Sequence, residues 1–340
     1  MSKEIRYRVW WSLYALDVSL LSMTGRPAKC NLDFCTTPLP VPFDEELFFD
    51  GNVAQLITDH ESRNNFIALL PLRGLGTPAR TSFPDSQTSG LLRLYGSTKC
   101  EQAVPGAKTA PLTPNNSLYF LHFVELSLII RESVDALYAP RAAQKSWREI
   151  EASIFSLDSK TDAWFARLPS RFRFTEPQET RDFERQRSSL AFRYYSAKII
   201  ITQPCLRRQT RPSLGTPPSS NASFVDTMAT QCVNTAIQTL NLLPERPILS
   251  WLYRISPWWC ILHYVMQSIT VLLTEFFIRA EPGTPQCRRV QGGIGKASHW
   301  LYEMAAVDPC SRRAWLICEG LSSRRAADFG FEAGANRAKG

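Results

Sequence analysis

Cysteine and histidine are the side chains best suited to chemistry in this chain, and their spacing limits what they can do. The sequence holds nine cysteines and four histidines. A structural zinc needs four ligands converging as a tetrahedron. Cys30 and Cys35 make one close pair, and Cys310 and Cys318 another. Neither pair stands beside a second, and His60, His122, His263 and His299 lie far apart in sequence. The thiols therefore read as small buried or surface groups, and no metal or cofactor site is expected here. VQGGIGKAS imitates a phosphate loop but has Val290 and Ala297 where the pattern needs Gly and Ser or Thr, so Lys296 reads as a surface residue near a helix start. No Gly-x-Ser-x-Gly elbow occurs, and no Asp-Asp pair offers itself to magnesium. No catalytic residue is nominated, and the chain reads as non-enzymatic. An all-α enzyme or a small-molecule-binding helical protein is the alternative.

Helices must position whatever these residues do, because apolar residues recur at helical spacing in nearly every long segment. The fold class is all-α. In the first helix Val9, Leu13, Leu16 and Leu20 form one apolar stripe and Trp10, Tyr14 and Leu21 the next, so the apolar face is wide and needs cover. Asp17 lies on the second stripe, where a carboxylate needs a partner; Arg26 or an arginine of a neighbouring helix is expected to supply it. Gly25 and Pro27 end the helix. Pro38, Pro40 and Pro42 then make a stiff extended strap, with Asp44 expected to cap the next helix.

Further helices are expected over about 52–70, from Thr113 and Pro114 to 138, and over 143–168, 178–203, 223–243, 257–279, 287–306 and 309–323, with a short turn near Trp251. Trp147, Ile150, Ile154, Leu157, Trp164 and Leu168 give the 143–168 helix a seam, read as intramolecular packing in preference to a dimerising coiled coil. Pro204 is expected to terminate the 178–203 helix. Residues 71–114 read as a flexible insert, 207–222 as a linker and 324–340 as a disordered tail. Trp10, Trp11, Trp251, Trp258 and Trp259 could line a ligand pocket, although such residues more often fill a core.

At 340 residues, 44% hydrophobic and 21% charged, the chain has an ordinary globular composition. Its net charge of +8 is spread in short arginine pairs, including Arg207 with Arg208 and Arg312 with Arg313, and so reads as solvated surface more than a nucleic-acid face. Lys3, Glu4, Arg6 and Arg8 stand where a signal peptide needs an apolar run, so a reducing compartment is expected. The most apolar stretch, Trp258 to Ile278, includes His263, Gln267 and Glu275 and reads as a core helix, with no membrane partner expected.

RVWWSLYALDVSLLSMTGRP followed by DFCTTPLPVPFDEE resembles the signature region of the fungal zinc-cluster transcription factors, in their helical regulatory domain, the middle homology region. Trp10, Trp11, Asp17, Gly25, Arg26 and Pro27 carry that signature. The likeness continues through SLYFLHFVELSLIIRESVDALY, SWREIEASIFSLDSKTDAWFARLP, SSLAFRYYSAKIIITQPCLRR, PWWCILHYVMQSITVLLTEF and WLYEMAAVDPCSRRAWLIC, covering most of 1–323. The resemblance implies one regulatory domain over 1–323 of a nuclear regulator of RNA polymerase II transcription. It also implies coregulators or other transcription-factor domains as partners, with a small-molecule effector and a homodimer as further options. No window matches the family's Cys-x2-Cys-x6-Cys module, so zinc and DNA contact are expected only through a module absent from these residues. The expectation that follows is a regulatory domain shortened at its N-terminus.

Overall fold

Every segment that the structure, a computed structural model, describes is built on helices or the short links between them. It describes residues 3–32, 35–69, 113–176, 181–209, 222–281 and 283–328. Among these residues there are 11 α-helices and no strand, so the all-α expectation holds. The expected insert at 71–114, linker at 207–222 and tail at 324–340 fall largely outside the described residues, although helix continues through 324–328. The chain divides into two compact units, Met1–Gln186 and Arg187–Gly340. The sequence shows no seam between them because the division falls inside a helix.

The first unit contains α1 (Lys3–Thr24), α2 (Gly51–Thr58), α3 (His60–Leu69), α4 (Asn116–Leu137) and α5 (Trp147–Ala166). Helix α4 packs against both α1 and α5. Leu118, Leu121, Val124, Leu126, Ile129 and Ile130 bury it on most sides, as expected of a central helix. The α5 seam closes on α4 within the chain: Ile154, Leu157, Thr161 and Trp164 are buried, and the Trp164 indole donates to the His122 carbonyl at 3.1 Å. Ser146 and Glu149 form a reciprocal capping box that starts α5.

The expected 52–70 helix is two helices. Asp59 leaves the helical conformation, and its carboxylate accepts from the Ser62 and Glu61 amides, capping α3. Asp44 precedes only a 3-10 turn, Glu45–Phe49, and instead accepts from the amide and hydroxyl of Ser117 in the first turn of α4. That helix is capped by Asn115, not Thr113, with the Leu118 amide donating at 2.7 Å.

The second unit contains most of α6 (Glu184–Gln209), then α7 (Ala222–Asn241), α8 (Leu249–Ile255), α9 (Trp258–Ile278), α10 (Pro285–Ala305) and α11 (Pro309–Asp328). Helix α9 is central and touches α7, α8, α10 and α11. By length and composition it could cross a membrane. Its Ile261, Val265, Ile269 and Leu272 are fully packed in protein, however, and buried Glu275 lies 3.5 Å from Arg279. Pro204 does not terminate α6, which continues one full turn beyond it. A proline forfeits one ladder hydrogen bond, and a helix buried as continuously as Leu190 to Thr202 recovers more from packing than it loses there.

VQGGIGKAS lies in the middle of α10, so Lys296 is far from a helix start, and it pairs with Glu245 at 2.6 Å. A Cβ on Gly293 would stand 2.7 Å from the Leu272 methyl, which explains a glycine at this crossing of α10 and α9.

Candidate functional site: the strap against the first helix

Three of the signature residues, Trp11, Asp17 and Gly25, help to build a frame in which an extended strap runs antiparallel to α1. Gly25 takes φ +67°, a conformation glycine adopts without strain, and its amide closes the helix on the Leu21 carbonyl at 2.9 Å. The chain then turns back. Lys29 and Cys30 each donate a backbone amide to one Asp17 carboxylate oxygen at 2.7 Å. Further along, the buried Trp11 indole donates to the Pro38 carbonyl at 2.8 Å. Near the start of α1, the Val41 amide donates to Glu4 at 2.9 Å, and Arg8 donates to the Val41 and Phe43 carbonyls.

Polar side chains are needed here for a reason that lies in the strap itself. Prolines have no amide hydrogen, so Pro38, Pro40 and Pro42 cannot join a ladder, while the strap's carbonyls still require donors when buried. The reach also matches. The seven steps of α1 from Glu4 to Trp11 span about 10 Å at about 1.5 Å each. Pro38 to Val41 spans about 9 Å at about 3.1 Å per extended residue.

Arg63 of α3 fastens the other side. Its guanidinium meets the second Glu4 oxygen at 2.6 Å and donates to the carbonyls of Leu39 at 2.9 Å and Leu56 at 3.0 Å, and it lies over the Tyr7 ring. Glu4 is 0% exposed and Arg63 1%. A buried pair is tolerable only when both members are otherwise satisfied, and here amide, carbonyl and ring contacts complete them. Sequence reading missed both: Glu4 registers only as a charge among charges, and Arg63 only as one polar residue in a mixed helix. The i to i+4 spacing of Glu4 and Arg8, 3.4 Å apart, was the available signal.

Two expectations about α1 are corrected. Asp17 has backbone amides as partners instead of Arg26, whose side chain is exposed and whose amide donates to the Thr24 hydroxyl. The stripe of Val9, Leu13, Leu16 and Leu20 is 45–59% exposed, and the core is entered by Trp11, Tyr14, Val18 and Leu21. Trp10 is half-buried and stacks on Tyr14. Pro27 is exposed.

Beside the frame opens a groove of about 400 Å³, lined by residues that include Arg8, Ser12, Asp44, Glu45, Asn116 and Phe120. Among the described residues that line it, Phe120 is the one aromatic. Trp251, Trp258 and Trp259 belong to the other unit, are half-buried or exposed, and do not line it. Behind the frame, His122 lies 3.1 Å from Glu125, which faces Arg167 at 3.8 Å.

Among the described residues no three His, Cys, Asp or Glu side chains stand close enough to hold a metal, so this donor set does not fit a zinc cluster. Burial, with the Asp17 carboxylate adding to it, raises the Cys30 thiol above its ordinary range. Burial also pushes Cys232 up to about 12 and Cys260 and Cys318 to about 11, so these stay protonated thiols at neutral pH.

Residues 1–166 match the fungal specific transcription factor domain, and the frame, the groove and the His122 cluster lie within or against that stretch. That stretch, similar to this domain, makes up just under half of the chain. Beyond the domain the likeness continues: transcription regulator galc of Aspergillus niger is 28% identical over 365 aligned positions, which cover 97% of this chain and 41% of that protein. The chain thus spans about two fifths of that curated relative's length. No solved structure matches the chain.

Proposed function

We propose that this chain is the helical regulatory and interaction domain of a fungal RNA polymerase II transcription factor, acting in the nucleus and without catalysis of its own. The observation that carries this reading is that the family match coincides with a part of the molecule fastened by buried polar contacts, the strap frame of α1, α3 and α4. A domain that transmits regulation needs a rigid body on which partners can dock, and buried polar contacts of this kind fix one arrangement. Its partners on this reading are coregulators or other transcription-factor domains, with the groove beside Arg8 as the place for a small effector. A second copy is a further partner. DNA is contacted through a zinc-cluster module that is not among these residues, which also accounts for zinc.

Fusing the chain to a heterologous DNA-binding domain and measuring a reporter in a fungal host tests the reading. Output should differ several-fold from the DNA-binding domain alone, and a frame-breaking Trp11→Ala variant should abolish the difference. Nuclear fusion protein at normal level with output equal to the DNA-binding domain alone would contradict it.

A further inference from the structure

The outer face of α11 carries Arg313, Leu316, Ile317, Gly320, Leu321 and Arg324, three and four residues apart and hence on one side of the helix. Leu316 is 55% exposed, Ile317 53% and Leu321 39%, while the opposite side, with Ser311, Ala314 and Cys318, is buried. Gly320 sits in the middle of the outer face with nothing within 4 Å of the Cβ it lacks. An interior glycine costs a helix about 1 kcal/mol relative to alanine, and among the described residues no neighbour explains it. It leaves room for another backbone to approach between Leu316 and Ile317.

Charge selects the occupant. Arg313 and Arg324 flank the apolar patch at its two ends, Arg312 adjoins it, and among the described residues none of the three has an ion pair; Glu319 is the acid within this span, and Asp308 and Asp328 stand in sequence four residues outside Arg312 and Arg324. Pairing this face with a second copy would set arginine against arginine in either direction. Antiparallel pairing about the patch centre opposes Arg313 and Arg324, and parallel pairing opposes each to itself, and like charges so placed disfavour association.

We infer that the outer face of α11 docks an amphipathic helix of a protein partner, whose apolar residues seat on Leu316, Ile317 and Leu321 and whose acidic residues meet Arg313 and Arg324. The surface lies in the second unit, outside residues 1–166, and its chemistry stands whether or not the chain acts in transcription.

Fluorescence anisotropy of the full chain with a labelled synthetic helix, leucines on one face flanked by glutamates, tests the assignment. Binding should saturate, weaken at least tenfold in Arg313→Glu/Arg324→Glu, and weaken similarly in Gly320→Leu, which improves helix propensity while filling the gap. Circular dichroism of the surface variants should match the parent. A lysine-flanked helix that binds equally well would overturn the proposal, as would unchanged binding in the charge variant. So would no peptide binding alongside capture by vesicles of anionic phospholipid, which would make the face a membrane surface. Concentration-dependent dimerisation abolished by Gly320→Leu would overturn it too, by assigning the face to a second copy.

Discussion

The two units solve the same packing problem with different emphasis. Around α1 the structure is fastened by polar side chains reaching backbone: Asp17 to two amides, Trp11 to Pro38, and Glu4 and Arg63 to one another and to the strap. Around α9 apolar contact is prominent, with helices close enough at Gly293 that one methyl of Leu272 fills the space of a missing Cβ, beside hydrogen bonds such as Ser196 to Gln267 and the Trp300 indole to the Pro244 carbonyl. The difference follows from the backbone each unit must bury. Helices satisfy their own carbonyls, whereas a proline strap cannot, and side chains must do it instead. Stability in the first unit should therefore depend on a few donors and acceptors, and in the second on volume.

The largest effect should come from Arg63→Met. Removing one partner of a buried pair leaves Glu4 uncompensated, and unfolding of the full chain in urea should show a loss of about 3–5 kcal/mol. Trp11→Phe keeps an aromatic ring, though a smaller one, and deletes the donor to the Pro38 carbonyl, which should cost about 1–3 kcal/mol in the same measurement. In the second unit, neighbouring glycines should respond with opposite signs. Gly292→Ala meets nothing within 4 Å and should stabilise by roughly 0.5–1 kcal/mol. Gly293→Ala gains the same propensity but must displace the buried Leu272 methyl, and overpacking of about 1–3 kcal/mol should make it net destabilising.

The smallest effect at neutral pH is at His263. Its Nε2 is buried without a hydrogen-bond partner among the described residues, and burial, with nearby Arg193 adding to it, lowers its pKa to about 4. A depressed folded-state value means the unfolded chain takes up the proton first. The stability that neutral His263 contributes is thus complete above about pH 6.5 and is lost as pH falls toward 4. His263→Gln should flatten the stability profile across that window and leave it unchanged at pH 8.

The fold class was legible in sequence because helical periodicity survives any arrangement of helices. The frame was legible only in outline. Gly25 and Pro27 announce a stop and a turn, and Pro38, Pro40 and Pro42 an extended return. Asp17 was assigned the wrong partner because reading charges finds arginines and cannot see backbone amides arriving from a turned chain. Periodicity likewise identified both apolar stripes of α1 but not which one is covered, since Val9 and Leu13 look as suitable for a core as Trp11 and Tyr14. Pro204 failed as a terminator for a similar reason: local rules give its cost, and only tertiary burial of α6 gives what offsets it.

The central claim, that a buried polar clamp holds the first unit together, is tested most directly by a double-mutant cycle on Glu4 and Arg63. Unfolding free energies of Glu4→Gln, Arg63→Met and the double variant should show coupling of more than about 1 kcal/mol, the double variant losing far less than the sum of the singles. Single losses that add to within about 0.5 kcal/mol would contradict the account.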